Sequence, residues 1–533
     1  MAFRGSGGFG VHVKLVLGVF LSFSLILPLG GMLCNMSGPD IASVVSSSRF
    51  KEALGHSMAA AGTGTVISIV FSWFFALAVV RSRMPFRNIF AVLATVPMLI
   101  PSISHGMGLV LLLGSNGILT RLFGLPQAIY GFWGIVAGSV LYAFPVAFLM
   151  IADILGYEDG SPYDAATVLG IPKIRQFLSI TFPYLRKPLI SVVFAVFTLI
   201  FTDYGVPLMI GGRYTTLPVL MYQEVIGLLN FSRGSVIGSF LLIPALGAFL
   251  FDMFNKDRGN QNFTAQEKGL SKNTLRDGAA ITYCSIICSV MVIPLAVFAF
   301  LSSINKYPTD MSFSFANVLR TMNLGAGRYL WNSICIALGV SVLGTILSYV
   351  IAYFTARTPG RSSKILHLIS ITSLAVPGLV LGISYVLFFK GSILYGSIGM
   401  LILVNIIHFM ASPYLLAYNS LGKLNPHLED VGQTLGVGRF FIIRDVLIPQ
   451  TRLTILEMAS YFFVNSMMTI SAVSFLSTVR NKPVSLMINQ FEAQLFLEGA
   501  AFVSILILGC NLIVKLIVYL AKRFTGESFK API

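Results

Sequence analysis

The chain has 533 residues, of which 56% are hydrophobic and only 11% are charged, and its mean hydropathy is +0.84. A soluble domain carries about 25% charged residues, so this composition excludes a soluble globular protein. The net charge of +16 does not indicate a nucleic-acid-binding protein, because the basic residues form short clusters between apolar segments. That arrangement is typical of the cytoplasmic loops of membrane proteins.

Twelve apolar segments follow one another along the chain, centred near residues 23, 68, 100, 142, 198, 243, 292, 342, 376, 406, 464 and 509. Each is about 20 residues long, which is the length a helix needs to cross the hydrocarbon core. The basic clusters between them predict which loops are cytoplasmic; they include Arg81, Arg83, Arg87, Arg357, Arg361, Lys364, Lys522 and Arg523. The sequence therefore predicts an all-α membrane protein with twelve transmembrane helices, a retained first helix and both termini in the cytoplasm.

The second half of the chain repeats the order of the first. Residues 57–81 align with residues 333–357 at an offset of 276, and Pro101 aligns with Pro377 at the same offset. Six spans per half give both halves the same orientation, which makes this a parallel repeat. We predict a first half over residues 1–255, a polar cytoplasmic linker over 256–280 and a second half over 281–533.

One polar loop interrupts each half. In each loop a glycine precedes a proline by 13 residues, and the two loops are 266 residues apart. The pattern predicts a short helix, a tight turn at the glycine and a second short helix. An ordinary pair of interfacial helices is the alternative interpretation. The candidate residues are Asp164, Ala165, Ala166, Gly170, Ile180 and Pro183 in the first loop, and Glu429, Asp430, Gly432, Gly436, Val446 and Pro449 in the second.

No enzyme signature is present: the sequence has no phosphate-binding loop, no His-Glu-x-x-His and no Gly-x-Ser-x-Gly. His105 and His408 lie within apolar segments, where either could touch a substrate, although a buried structural histidine is the role expected of each. Cys284 and Cys288 are one helical turn apart, but no histidine or acid lies near them in sequence. We therefore predict a non-catalytic protein that itself binds no metal and no cofactor.

Polar residues in and after the fifth and eleventh apolar segments are candidates for a translocation path. Asp203 aligns with Thr469 at the offset of 266, and an acid at membrane depth normally faces a cavity or a partner. Prolines within spans free backbone carbonyls and suit helices that line a cavity. Hydroxyls that only join helix to helix are the alternative. The candidates are Asp203, Tyr204, Gly205, Pro207, Pro101, Pro377, Asn465, Ser466, Thr469 and Ser471.

The two polar loops resemble the coupling loops of permease subunits in binding-protein-dependent ABC importers. The family pattern is Glu-Ala-Ala, three residues, Gly, nine residues, Ile, two residues, Pro. The first loop departs from it at Asp164, and the second departs at Val431, Gly432 and Val446. A fused two-half permease of this size resembles the ferric-iron and phosphonate permeases. The stretches 202–212, 374–382 and 463–473 are most similar to the 2-aminoethylphosphonate type, whereas 477–482 departs from it.

The resemblance implies a type I ABC importer in the bacterial cytoplasmic membrane. Its partners would be two copies of an ATPase, which hold ATP and Mg²⁺ and receive the coupling loops, and an extracytoplasmic substrate-binding protein. The lipid bilayer is expected to surround the chain, and no nucleic acid is expected. The cargo expected from the resemblance is 2-aminoethylphosphonate or a related phosphonate, with ferric iron or a phosphorylated metabolite as alternatives. A secondary transporter is a further alternative, but it would need more buried ionisable residues than these spans contain.

Overall fold

The computed structural model describes residues 5–124, 129–156, 158–255 and 273–524, and these residues are almost all helical. They divide into two units. The amino-terminal unit comprises Ser46–Leu220 and Ile243–Asn317. The carboxy-terminal unit comprises Met1–Val45, Met221–Leu242 and Val318–Ser528. The first segment of the chain therefore belongs to the unit that contains most of the second half of the sequence.

The amino-terminal unit is built on long helices separated by short ones. Four helices contribute residues to both units: Gly38–Ser46, Leu217–Tyr222, Phe231–Asn255 and Ala316–Thr321. The remaining helices of this unit are Ser48–Arg81, Arg87–Thr95, Val96–Leu99, Ser102–Leu113, Ile118–Phe123, Phe132–Gly156, Ser161–Val168, Lys173–Gln176, Phe177–Thr181, Phe182–Thr202, Gly205–Ile210 and Thr274–Ser302.

The carboxy-terminal unit repeats this arrangement. Its helices are Gly5–Leu21, Ser22–Ile26, Leu27–Cys34, Gly38–Ser46, Gln223–Gly227, Ala316–Thr321, Met322–Ala326, Gly327–Ala356, Arg361–Thr372, Ser373–Ala375, Gly378–Phe389, Ile398–Phe409, Ala411–Gly422, Leu428–Thr434, Arg439–Ile442, Ile443–Leu447, Ile448–Gln450, Arg452–Met468, Ser485–Ala493 and Leu497–Phe524. The first segment is fixed to this unit by Tyr385, whose hydroxyl donates to the Ser24 carbonyl at 2.6 Å, and by edge-to-face packing of Phe23 on Phe388.

Within the described residues, nine helices are long and apolar enough to cross a membrane, and two bent pairs raise the number to eleven. The bent pairs are Arg361–Ala375 with Gly378–Phe389, at 110°, and Ile398–Phe409 with Ala411–Gly422, at 55°. The nine are Gly10–Cys34, Ser48–Arg81, Ser102–Phe123, Phe132–Gly156, Ile174–Thr202, Phe231–Phe251, Thr274–Ser302, Ala316–Ala356 and Leu497–Phe524. This agrees with a multi-pass membrane protein.

A close approach of a second backbone segment to a helix recurs at repeat-equivalent positions. In the amino-terminal unit a Cβ on Gly106 would lie 3.2 Å from the Val206 carbonyl oxygen. In the carboxy-terminal unit a Cβ on Gly382 would lie 2.8 Å from the Ala472 carbonyl oxygen. Only glycine permits two backbones to come so close. The same close approach therefore occurs once in each unit, against helix Gly205–Ile210 in the first and against the turn at residues 471–476 in the second.

The expectation of an all-α chain is wrong for residues 304–313. Strand β1 (Ile304–Lys306) pairs antiparallel with strand β2 (Asp310–Phe313). The Asp310 side chain accepts hydrogen bonds from the Ser312 backbone N–H at 3.0 Å and from Asn305 Nδ2 at 2.6 Å, which stabilises the turn. Hydrogen bonds from Ser312 and Asn305 also lower the pKa of Asp310.

The predicted linker over residues 256–280 lies mostly outside the described residues, which resume at 273. Helix Thr274–Ser302 begins there, and the Asn273 side chain caps it by accepting from the Arg276 backbone N–H at 3.1 Å. The last residues assigned to the linker therefore form the first turns of a long helix. The division of the chain into halves at residues 255 and 281 stays a prediction.

Candidate functional site

The first polar loop, residues 158–183, folds as two short helical segments joined at Gly170. Helix Ser161–Val168 ends at a turn in which Gly170 has a φ of +69°. The backbone N–H of Ile171 donates to the Ala166 carbonyl at 2.9 Å, and that of Gly170 donates to Thr167 at 3.1 Å. These two bonds close a helix C-terminus of the kind that requires a left-handed residue.

Tyr163 and Glu158 anchor this loop to the end of helix Ser48–Arg81. The Tyr163 hydroxyl donates to Glu158 and contacts the Thr181 hydroxyl. Arg81, the last residue of the helix, forms an ion pair with Glu158 and places its guanidinium 5.5 Å from the centre of the Tyr163 ring. Tyr163 and Glu158 are both buried. The loop is therefore held to a membrane-spanning helix by charge and by packing.

The second polar loop, residues 425–449, has the same backbone design. Gly436 has a φ of +72°, and the Val437 backbone N–H donates to the Gly432 carbonyl at 2.8 Å. Arg357, which directly follows helix Gly327–Ala356, pairs with Glu429 and donates to it from Nε at 2.8 Å. Its remaining nitrogens donate to the carbonyls of Leu424 at 2.9 Å and Asn425 at 2.7 Å. The hydrogen bonds to Glu429 raise the pKa of Arg357.

Arg81 and Arg357 are repeat equivalents, and the sequence reasoning assigned them only to the basic clusters that orient the chain. Their alignment at the offset of 276 was visible in the sequence, but their partners were not. Glu429 aligns with Tyr163 at the offset of 266, and the acid of the first loop comes instead from Glu158. The same arginine anchor is thus built from different partners in the two loops.

Ala166 and Gly432 lie at equivalent positions, and both are buried. A Cβ on Gly432 would lie 2.9 Å from Ile442 Cγ1 and closer still to its Cδ1. The first loop has Gln176 in place of Ile442, and the Gln176 side chain donates to the Ile171 carbonyl at 2.7 Å. Gly432 therefore makes room for the second short helix of its loop, and Ala166 is buried at the equivalent place in the first loop.

The other predicted loop residues occupy equivalent places in the two loops. Asp164, Ala165 and Asp430 are exposed, and Asp430 lies 3.5 Å from His427. Ile180 and Val446 are half-buried in the π-helical segments Phe177–Thr181 and Ile443–Leu447. Pro183 and Pro449 each lie in the first turn of the next helix, where a proline's missing N–H costs little.

The exposed faces of both loops are apolar at matching positions. Leu169 and its equivalent Leu435 are each 74% exposed. Ile174 and its equivalent Phe440 are 76% and 68% exposed. Contiguous apolar side chains that remain in water mark surfaces that bind a partner. Each loop is therefore a rigid element that carries an uncovered apolar face.

The structure gives Asp203 a structural role. Its carboxylate accepts from the backbone N–H groups of Val206 at 3.0 Å and Gly205 at 3.3 Å, and it hydrogen-bonds the Ser102 side chain. It therefore caps helix Gly205–Ile210, which contains the buried Gly205 and Pro207 and directly follows the buried Tyr204. Neither this helix nor its cap was predicted from the sequence.

Thr469 occupies the equivalent place at the end of helix Arg452–Met468, with its N–H donating to the Asn465 carbonyl at 3.0 Å. The Asn465 side chain donates to the Tyr461 carbonyl at 2.8 Å. The Ser466 hydroxyl is buried and has no partner among the described residues. These polar side chains carry no net charge, so any contact they make with a solute is weak and reversible.

Ser471 and His408 meet at Gly378. A Cβ on Gly378 would collide with Ser471 Oγ and would lie 3.1 Å from His408 Nε2. His408 Nδ1 is buried without a partner in the described part of the chain. Pro377 precedes Gly378 at the 110° bend, and Pro101 lies at the corresponding break before helix Ser102–Leu113. The structure therefore adds His408 to the candidate path, a residue that the sequence analysis treated as structural.

The described residues contain no group of three or more His, Cys, Asp or Glu side chains that is able to hold a metal ion. The functional features are thus two anchored loops with apolar faces and two sets of broken helices with neutral polar side chains. They are the features of a two-half membrane permease.

Comparison with known proteins identifies the family. Residues 64–303 and 344–525 match the family described as the binding-protein-dependent transport system inner membrane component, so the chain belongs to this family and carries its domain twice. It is a type I ABC importer permease, which is a multi-pass, non-catalytic subunit of the inner membrane that works with a substrate-binding protein and an ATPase. The resemblance inferred from the polar loops is confirmed.

Three relatives illustrate the family. The chain is 24% identical over 525 residues to the ferric transport system permease protein FbpB of Actinobacillus pleuropneumoniae, covering 93% of this chain and 76% of the relative. It is 23% identical over 455 residues to the Fe(3+)-transport system permease protein FbpB 2 of Haemophilus influenzae, covering 82% and 83%. It is 23% identical over 388 residues to the thiamine transport system permease protein ThiP of Escherichia coli, covering 70% of each chain.

Proposed function

We propose that this permease moves a small solute, released by its binding protein, into the cytoplasm, and that its two polar loops are the coupling helices that receive force from the ATPase. The observation that carries the proposal is the pair of matching apolar faces, Leu169 with Ile174 and Leu435 with Phe440, on loops that arginines fix to long helices. One ATPase subunit binds each loop, so two copies serve the chain. ATP and Mg²⁺ are held by those subunits.

The anchors supply the mechanical connection. An apolar face that is buried in a groove of the ATPase moves with that groove when nucleotide binds. Because Arg81 joins the first loop to helix Ser48–Arg81, displacement of the loop displaces the end of this helix, which is roughly 50 Å long at 1.5 Å per residue. A packed helix moves as one body. Arg357 gives helix Gly327–Ala356 the same connection to the second loop.

We further propose twelve spans with both termini in the cytoplasm. Eleven spans follow from the long helices and the bent pairs. Helix Arg452–Met468 would be the twelfth; at 17 residues it is at the lower limit for a transmembrane helix, which is about 17 residues. Its end at Thr469 is equivalent to the end of helix Phe182–Thr202 at Asp203. This equivalence supports counting it as the eleventh span in chain order.

The proposed cargo is 2-aminoethylphosphonate or a related phosphonate. The resemblance of stretches 202–212 and 463–473 to 2-aminoethylphosphonate permeases supports it. Uncharged donors such as Ser466 and Ser471 suit phosphonate oxygens and allow release. Ferric iron is the second candidate, because two of the relatives reported above are ferric permeases. A phosphorylated metabolite remains a third candidate.

The test is ATP-driven transport in proteoliposomes that contain the permease, its ATPase and its binding protein. ATP hydrolysis is measured with the binding protein and, in turn, 2-aminoethylphosphonate, ferric iron, thiamine and a phosphate ester. We expect stimulation by 2-aminoethylphosphonate, together with uptake of the labelled compound. Stimulation by ferric iron alone would replace the phosphonate with the second candidate. Uptake of any of these solutes without the ATPase would contradict the ABC mechanism itself.

A further inference from the structure

A cleft opens in the amino-terminal unit just beyond the capped helix Gly205–Ile210. Its volume is about 380 Å³, and Tyr130, Gly131, Gly211, Arg213 and Tyr214 line it. Its backbone is fixed by two hydrogen bonds, from Gly131 N–H to the Ile210 carbonyl at 3.0 Å and from Tyr214 N–H to the Gly211 carbonyl at 2.9 Å. The cleft is therefore a defined concavity and not a gap between mobile loops.

One wall of the cleft is held rigid by aromatic stacking. The Tyr214 ring stacks on His56, with ring centres 3.6 Å apart, and packs against Phe132 at 5.6 Å. His56 Nδ1 lies 3.0 Å from the Thr215 carbonyl oxygen. Tyr214 is thus fixed before any partner arrives, and a preorganised side chain costs little entropy on binding.

The guanidinium of Arg213 is exposed and makes no hydrogen bond or ion pair with any residue that the structure describes, whereas its backbone carbonyl accepts from the Thr215 N–H at 3.1 Å. A guanidinium presents donors in a fixed fork that matches a carboxylate. An arginine flanked by two tyrosines is also the composition of an interface hot spot. The geometry therefore favours an anionic group that enters the cleft and meets Arg213 between the two aromatic rings.

The cleft lies at the end of its unit that is remote from the first polar loop. His56 is near the start of helix Ser48–Arg81, and Arg81 at the far end holds the loop; the 25 residues between them span roughly 38 Å. If the loop is cytoplasmic, as the proposed function requires, the cleft faces the side from which the binding protein arrives.

The exposed charges of that side favour an acidic partner. In the described part of the amino-terminal unit, the segments assigned to the side that faces the binding protein carry more exposed basic than acidic side chains. The basic residues are Arg49, Lys51, Arg121, Arg213 and Lys306, and the acidic residues are Glu52 and Asp310. A surplus of one sign speeds association with a partner of the other sign. This surface therefore complements an acidic patch.

We propose that the cleft is a docking site for an aspartate or glutamate side chain of the substrate-binding protein, with Arg213 as its ion-pair partner. The proposal rests on the proposed function, which supplies the partner. At the offset of 266, the repeat-equivalent loop of the carboxy-terminal unit has Val479 and Arg480 in place of Arg213 and Tyr214. There Asn481 donates to the Gly396 carbonyl at 2.9 Å and accepts from the Thr478 backbone N–H at 2.6 Å. In that loop an amide that ties down the backbone replaces the aromatic wall.

The experiment measures the affinity of the binding protein for the permease–ATPase complex in lipid nanodiscs, at low and at high salt. Arg213→Glu is expected to lower the affinity by about tenfold or more at low salt, with a smaller difference at high salt, because a close charge pair is lost. Arg213→Lys is expected to recover part of the affinity. The matched control is Lys306→Glu, which makes the same charge change on the exposed hairpin and should alter affinity less than threefold.

Three results would overturn the docking site. Equal losses of affinity for Arg213→Glu and Lys306→Glu would show that the overall charge of the surface attracts the binding protein and that the cleft is not a specific site. Direct binding of 2-aminoethylphosphonate or inorganic phosphate to the complex without the binding protein, abolished by Arg213→Glu, would make the cleft a cargo site instead. If the wild-type complex responds to its binding protein, and the Arg213→Glu complex binds that protein as tightly as wild type, only the docking site is refuted. A wild-type complex that shows no response at all refutes the proposed function.

Discussion

Two arginines at the ends of long helices hold the polar loops, and they do so with different partners. In the second loop Arg357 meets a carboxylate of the loop helix itself, whereas in the first loop Arg81 meets Glu158 and the ring of Tyr163. The two loops therefore share the position of the arginine anchor but not the residues that the arginine contacts. Sequence comparison of the two loops cannot detect such an exchange of partners.

Removing Arg357 should weaken the second loop. Arg357→Gln leaves Glu429 and two backbone carbonyls without their donor, and loss of one partner of a buried ion pair costs about 3–5 kcal/mol. We expect a lower melting temperature of the purified permease and reduced transport per ATP hydrolysed. The control is Arg361→Gln, which is exposed at the start of the next helix. An equal effect of both substitutions would contradict the anchoring role.

Gly432 should resist enlargement because of Ile442. Gly432→Ala forces the Ile442 side chain to move, and overpacking of this kind costs about 1–3 kcal/mol. We expect reduced thermal stability of the permease, with recovery in the double variant Gly432→Ala with Ile442→Val. Gly438→Ala is the matched control, because a Cβ there meets only Phe441 at an ordinary 3.8 Å. If Gly432→Ala were as stable as wild type, the packing explanation for this glycine would be wrong.

At the scale of elements, the broken helices are the part that the sequence predicted only in outline. Pro101 and Pro377 were expected to disturb their spans, and both lie at breaks. The short helix Gly205–Ile210 was not predicted, because six residues are too few to show a periodic apolar face. Asp203 gains a role that the sequence did not show: its carboxylate accepts from two backbone N–H groups and caps this helix. Its place in the translocation path stays a prediction.

This role predicts how Asp203 variants behave. Asp203→Asn keeps an acceptor for the cap and should retain most transport activity, whereas Asp203→Ala loses the cap at a cost of about 1 kcal/mol and should lower activity and stability together. Transport of an aminated and a non-aminated phosphonate is compared for each variant. A selective loss of the aminated compound in Asp203→Asn would show that the carboxylate also contacts the cargo and is more than a cap.

Contacts between segments that are far apart in the chain could not be predicted from the sequence either. The hydrogen bond between Tyr385 and the Ser24 carbonyl joins the first apolar segment to the carboxy-terminal unit, and nothing in local hydropathy indicates it. The transmembrane spans could be predicted from the sequence because each needs a long apolar segment. The hairpin at residues 304–313 was missed because its stability comes from the side chains of Asp310 and Asn317 and not from an alternating pattern.

At the scale of the whole molecule, the topology predicts opposite exposure of two surface residues of the carboxy-terminal unit. In a cysteine-free background, Ile393→Cys should be labelled in intact cells by a membrane-impermeant thiol reagent, and Leu435→Cys should be labelled only after permeabilisation. Both wild-type side chains are exposed, so burial cannot explain a difference. Labelling of Leu435→Cys from outside would place the polar loops on the wrong side of the membrane for coupling.

The central claim is that the apolar faces of the two polar loops bind the ATPase. The most direct measurement is the amount of ATPase that stays with the affinity-purified permease after solubilisation. The double variant Leu169→Asp with Leu435→Asp places a charge in each exposed face, and we expect it to lose the ATPase and ATP-driven transport. Leu122→Asp, at an equally exposed leucine of helix Ile118–Phe123, should retain both. Full retention of the ATPase and of transport by the double variant would contradict the account.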